Sequence, residues 1–150
     1  MKLWTLLPAL TLTAPLALAE GLITVNKDPN CGCCIGWMAH MASKGYNLEA
    51  HNVDNLNEIK ADYGVDSTVS SCHTAVTDNG YVLEGHVPAR YVEQFLAAPP
   101  DGAIGLSVPG MPVGSPGMEM GDTFQPYEVV LIMEDGAHRL FAEVNFPEEQ

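Results

Sequence analysis

Apolar and polar residues alternate over Leu22-Ile23-Thr24-Val25-Asn26 with the two-residue period of a half-buried strand. Lys27-Asp28-Pro29-Asn30 reads as a turn. The period then lengthens. Trp37, Met38, Met41 and Ala42 form a helical stripe within Ile35 to Lys44, and Gly45 ends the helix. Tyr46 to Val53 predicts a second strand. Asp54 can cap a second helix, with Glu58 one turn on, Ile59 facing inward and Gly64 as its stop. Cys72 to Val76 and Tyr81 to Glu84 predict two strands around Asp78-Asn79-Gly80, a strong hairpin turn. Pro88 opens a helix over Ala89 to Ala98, in which Tyr91, Val92, Phe95 and Leu96 are apolar. The order is β-α-β-α-β-β-α. From Pro99 to Pro126, Gly, Pro, Ser and Met dominate. Such a long structureless stretch is uncommon in a compact domain, and its few charges and repeated Pro-Gly turns predict an ordered, packed loop. Tyr127 to Met133 and His138 to Val144 form a last hairpin around Glu134-Asp135-Gly136. The paired Pro-Gly-Met units are the one internal repeat.

Composition changes how the first residues are read. Lys2 precedes an uncharged apolar run from Leu3 to Leu18, and Ala17-Leu18-Ala19 is a small-x-small cleavage pattern ahead of Glu20. Residues 1–19 are therefore expected to be a secretory signal peptide. A membrane anchor is the competing reading. The run falls short of the ~20 apolar residues a span needs and carries Pro8 and Pro15. Residues 20–150 are then a single domain in the periplasm. Without Lys2, five Lys and Arg face nineteen Asp and Glu, a net charge near −14. No basic stripe exists to meet a phosphate backbone, so nucleic acid is excluded as a partner. No membrane association is expected beyond the signal peptide.

The chemistry lies in the four cysteines, three of them within Cys31-Gly32-Cys33-Cys34. Cys31 and Cys34 make a C-x-x-C after a strand and at a helix start, where free N–H groups and the helix dipole favour thiolate. That order of elements, with a dithiol at that place, predicts an α/β, thioredoxin-like fold, extended by the Gly/Pro/Met loop and the C-terminal β-hairpin. Two features depart from a plain dithiol. Cys33 adds a sulfur inside the motif. Cys72, in Ser71-Cys72-His73, stands where such folds normally carry a cis-proline against the dithiol. Four convergent thiolates suit a soft ion: Cu(I), Zn(II) or an iron–sulfur cluster. Zinc wants four ligands on one tetrahedron, which adjacent Cys33 and Cys34 do not easily supply. Thiolates bridging more than one Cu(I) suit that adjacency better.

Softer candidates surround the thiols. His86, in Glu84-Gly85-His86-Val87-Pro88, lies at the strand-to-helix turn beside the dithiol and is a candidate ligand; its alternative is a surface or capping histidine. His73 alternates with Cys72, so it is expected to face away. His40, seven residues after Cys33, lies ~10 Å along the helix and is expected to pack or hydrogen-bond. His51 and His138 read as exposed strand residues. Met111 and Met118 sit in the two Pro-Gly-Met units, either as thioether ligands or as plugs of the core. Met38 and Met41 read as core, and Trp37 as a wall that limits water at the site.

These segments, together with Gly105-Leu106-Ser107-Val108-Pro109-Gly110-Met111-Pro112 and Gly114-Ser115-Pro116-Gly117-Met118-Glu119, resemble the CopG-type periplasmic copper-resistance proteins over about residues 21–145. The resemblance implies a thioredoxin-like fold, a thiolate-bridged multi-copper site and a role in copper tolerance. It implies a core ligand role for Cys31, Cys33, Cys34 and Cys72, and with less force one for His86, Met111 and Met118. Copper binding and sequestration, with Cu(I)/Cu(II) cycling at the same site, is the leading expectation. A thiol–disulfide oxidoreductase using Cys31 and Cys34, and a metallochaperone that hands copper to another copper-handling protein, are the alternatives. Binding is favoured over enzymatic turnover.

Overall fold

The computed structural model describes residues 21–150, so the expected signal peptide lies outside the described residues. Strand β1 (Leu22–Lys27) leads into helix α1 (Gly32–Ser43), then β2 (Asn47–Asn52), α2 (Leu56–Asp62), β3 (His73–Thr77), β4 (Val82–Glu84) and α3 (Ala89–Ala97). Strands β5 (Ala103–Ser107), β6 (Tyr127–Met133) and β7 (His138–Val144) follow, and a 3-10 turn covers Pro147–Glu149. The seven strands form one mixed sheet in the order β2-β1-β3-β4-β5-β6-β7. β1 runs parallel to β2 and β4 parallel to β5; the other neighbours are antiparallel.

Alternation along the strands sorts residues to two faces. Leu83, Leu131 and Met133 join Trp37 and Met41 of α1 and Val92 and Phe95 of α3 in the larger core. Val82 and Ile132 point the other way, into a smaller cluster with Val65 and Val69 from the segment after α2. Helix α3 buries Ala89, Val92 and Phe95 at helical spacing and exposes Arg90 and Glu93. β2 is an exposed edge strand, its charged and amide side chains facing water. The β3–β4 turn closes with Gly80 N–H donating to Thr77 O (2.9 Å), Gly80 taking φ +85°.

Three local expectations are corrected. The first residue flanking α2 is Asn55, not Asp54, and its side chain reaches Glu58 (3.1 Å) instead of a backbone N–H. The long Pro99–Pro126 stretch contains a strand, β5, paired on both sides; Ile104 to Val108 carries the apolar residues for it, but the surrounding Gly and Pro mask the pattern. Cys72 lies in a bend before β3 and not in the strand itself.

Candidate metal centre

The end of β1 turns sharply to present the cysteines. Asp28 O accepts from Cys31 N–H (3.1 Å) and Asp28 Oδ1 from Asn30 N–H (2.8 Å). Cys31 then occupies the N-cap of α1, and its sulfur accepts from Cys34 N–H at 3.3 Å. A sulfur at that position feels the free N–H groups and positive end of the helix. Cys31 and Cys34 are joined as a disulfide, with Cα atoms 5.4 Å apart, while Cys33 and Cys72 are free thiols. The structure is thus the oxidised form of the C-x-x-C pair.

The sulfurs converge. Cys33 Sγ lies 3.5 Å from Cys31 Sγ and 3.7 Å from Cys72 Sγ; Cys34 Sγ is also 3.7 Å from Cys72 Sγ. All four fall within 4.8 Å of one another. Adjacent Cys33 and Cys34 therefore both reach the thiol of Cys72. Burial, reinforced by neighbouring Cys33, pushes the Cys72 thiol up to about 12.

Two imidazoles complete the group. His86 is fully buried. Its Nδ1 meets the Pro116 carbonyl at 2.8 Å, and a carbonyl can only accept, so Nδ1 carries the proton. Nε2 is left with its lone pair facing Cys72 Sγ, 2.9 Å away. Burial lowers the pKa of His86, which favours this neutral form. His73, also fully buried, brings Nδ1 to 3.3 Å from Cys72 Sγ. Its ring stacks obliquely on Trp37 (4.5 Å) and meets His86 edge-on (5.3 Å). Burial holds its pKa well below the ordinary value. Cys72, His73 and His86 form a second set of donors within 4.8 Å, sharing Cys72 with the first. This overturns the expectation that His73 faces away. Strict alternation applies only inside a pleated strand, and the bend at Cys72 lets neighbouring side chains turn to one side.

Trp37 is wholly buried beside the cluster, its Nε1–H donating to Val87 O at 2.8 Å. His40 Nε2 accepts from Ala89 N–H (3.0 Å) at the start of α3, so it serves the helix end as expected. His51 is exposed near Glu49 (3.3 Å), and His138, only half-buried, sits near Asp66 (3.3 Å).

The Pro-Gly-Met loop is fastened at both units. Gly110 N–H donates to Ser70 O (3.1 Å), and Ser71 Oγ donates to Gly110 O. At the second unit, Gly117 lies directly on the first turn of α1: a Cβ there would sit 2.6 Å from Cys33 O and 2.4 Å from Trp37 N. The first anchor holds Gly110 to the residue before Cys72 and the second sets Gly117 on the Cys33 backbone, so Met111 and Met118 each follow a glycine held close to a cysteine. Met111 is 53 % exposed and Met118 half-buried. A buried ion pair missed in the sequence, Lys60 with Glu84, lies just behind Ser71. Its only sequence signal was a lone acid ending the short strand Tyr81 to Glu84.

The family model described as a protein of unknown function, DUF411, matches residues 69–118. That span holds Cys72, His73, His86 and both Pro-Gly-Met units but not Cys31 to Cys34. A comparison with curated proteins finds no match. Two solved structures are similar over almost their whole length. "Copper resistance protein copG- Form 1" is 39 % identical, with a TM-score of 0.78, 85 % of this chain covered and 99 % of that one. "Copper resistance protein copG- Form 2" is 40 % identical, with a TM-score of 0.78, 83 % of this chain covered and 98 % of that one. With identity at this level over nearly the full length of both, the chain belongs to the CopG copper-resistance protein family.

Proposed function

We propose that this is an exported, periplasmic copper-binding protein of copper resistance or homeostasis. It holds Cu(I), as more than one ion bridged by thiolates, on a thioredoxin-like domain spanning residues 20–150. The observation that carries the reading is the pair of overlapping donor sets around Cys72: four sulfurs, and two imidazoles held neutral by burial. Thiolate and imidazole suit Cu(I), and a sulfur common to two donor sets suits bridging. The titles of the two similar structures support copper over other soft ions. The strand order β2-β1-β3-β4, with β1 and β2 parallel and the dithiol after β1, supports the thioredoxin-like assignment. The leader-like residues 1–19 support the location, and among the described residues no helix is long and apolar enough to cross a membrane.

In this reading copper is cargo. The Cys31–Cys34 disulfide must first be reduced by an external dithiol, which supplies the two electrons and two protons and leaves as its own disulfide. Cys31 at the N-cap then offers a sulfur beside the free N–H groups of the helix start. Cys72 offers a protonated thiol, so ion capture releases its proton. His86, oriented by Pro116 O, presents Nε2, and Trp37 excludes water. Met111 and Met118 would supply thioethers from the loop at the rim.

Anaerobic titration of the reduced chain with Cu(I) against a chromophoric chelator tests this. Several ions per chain are expected, with a near-ultraviolet thiolate charge-transfer band that Cys33→Ser and Cys72→Ser each weaken. Binding no tighter than that of weak chelators would sink the proposal. One observation favours a second reading: the C-x-x-C disulfide at a helix start, with the free Cys72 thiol 3.7 Å from Cys34 Sγ. A thiol–disulfide oxidoreductase would keep full exchange activity in Cys33→Ser without metal.

A further inference from the structure

The ion pair behind the site is costly to bury, and a pair of packed apolar residues would often be as stable. Its placement gives it another use. Lys60, on α2, is 5 % exposed and Glu84, ending β4, is fully buried. Glu84 Oε1 takes the Lys60 ammonium and also the Ser71 N–H (2.6 Å). Glu84 Oε2 takes the Thr74 hydroxyl (2.7 Å), which itself accepts from Lys60 Nζ (3.0 Å). Both oxygens are thus satisfied, and the carboxylate has no freedom to turn. Thr74 and Glu84 lie on the α2 face of the sheet, whereas His73 packs on Trp37 on the opposite face. The link between the two sides is the Ser71–Cys72 bend. Ser71 is gripped from three directions: by Glu84 at its N–H, by Gly110 O at its hydroxyl, and by Gly85 (φ +72°), where a Cβ would come within 2.4 Å of the Ser71 side chain. Beyond Glu84, Gly85 N–H bonds His73 O (3.0 Å) and the chain reaches His86 two residues on.

We propose that Glu84, clamped by Lys60 and Thr74, is the positioning residue that fixes the Ser71–Cys72 bend, and so aims the Cys72 sulfur at Cys33, Cys34 and His86. As a role in copper retention, it rests on the copper reading above. As a role in aiming the thiol, it does not. The carboxylate touches no donor atom. It acts through one peptide N–H.

Two double variants separate positioning from stability. Lys60→Met/Glu84→Gln removes both charges but keeps an oxygen for Ser71 N–H. Lys60→Met/Glu84→Leu removes the charges and the acceptor together. Outer-shell partners of ligands commonly carry ~10–100-fold in metal affinity. The Leu pair is therefore expected to hold Cys72-dependent copper about 10–100-fold less tightly, with a weaker thiolate band, while the Gln pair stays near wild type. Diamide oxidation of the copper-free chains gives a metal-independent readout. Cys33–Cys72 disulfide formation should be several-fold slower in the Leu pair alone. Should the Leu pair fail to fold, Glu84→Asp keeps the charge but is too short to span Lys60 and Ser71, and the same losses are expected. Unchanged cross-linking and copper retention in a folded Leu pair, or in Glu84→Asp, would overturn the proposal. If wild type binds no copper yet the cross-linking contrast holds, the copper reading falls and the aiming role stands.

Discussion

At the scale of single residues, burial holds the imidazoles at and near the site toward their neutral form. His40, His73 and His86 all have pKa values lowered chiefly by burial. The unfolded chain takes up protons at these positions below about 6.5, where the folded chain does not. Stability of the copper-free protein should therefore be complete above that pH and fall on acidification through it. Cys72 gives the opposite limb. Its thiol ionises near 9.0 when unfolded and about 12 when folded, so stability should also fall as pH rises through that window. Urea unfolding of copper-free protein from pH 5 to pH 10 checks both limbs; His73→Gln should flatten the acid one. The four cysteines and His86 were legible in the sequence because sulfur crowding and a strand-end histidine are local signals. His73 was not, because its direction depends on a bend that residue order does not reveal. Glu84 and Lys60 were hidden for a related reason: they stand 24 residues apart in sequence, and only the fold brings them together.

At the scale of elements, the Pro-Gly-Met loop packs on the first turn of α1 and meets His86 through Pro116 O. Gly117 takes φ +87° and packs its Cα against Gly36 of α1, where a Cβ on Gly36 would lie 2.8 Å from it. In Gly117→Ala the three nearest atoms that the new Cβ meets are all backbone, which cannot swing aside as a flexible side chain can. A cost of ~2–4 kcal/mol is expected from the left-handed backbone and the overlap combined. The loop should lift from α1, taking Pro116 O from His86. Thermal unfolding would show the lower stability, and faster loss of bound Cu(I) to a chelator would show the opened rim. A loss of stability without faster release would mean that the loop closes nothing. The helices and the two hairpins were readable from period and turn residues. Strand β5 was not, because its partners β4 and β6 supply the order that its Gly-flanked sequence lacks.

At the scale of the molecule, the cysteine and histidine donors come from three separate parts of the chain. A ligand that binds only the folded state stabilises it by mass action, ~2.7 kcal/mol for one site at a hundredfold excess over Kd. Under reducing conditions, Cu(I) should raise the melting temperature of wild type and not of a Cys33→Ser/Cys72→Ser variant. A matching rise in the variant would place the ion elsewhere. The strand order that builds this arrangement was legible only in part. The sequence spacing predicts β1 to α3, but the extension of the sheet through β5 to β7 depends on pairing between distant segments.

The bend at Cys72 also bears on the unfolding path. Its sulfur meets that of Cys33 across 39 residues and the His86 ring across 14. An ion shared among them would act as a removable cross-link that closes both loops. Closing loops restricts the unfolded ensemble as well as tightening the native one. The loaded chain would then have to surrender its cargo before, or while, β3 separates from α1. Resistance to proteolysis would rise and fall with copper supply.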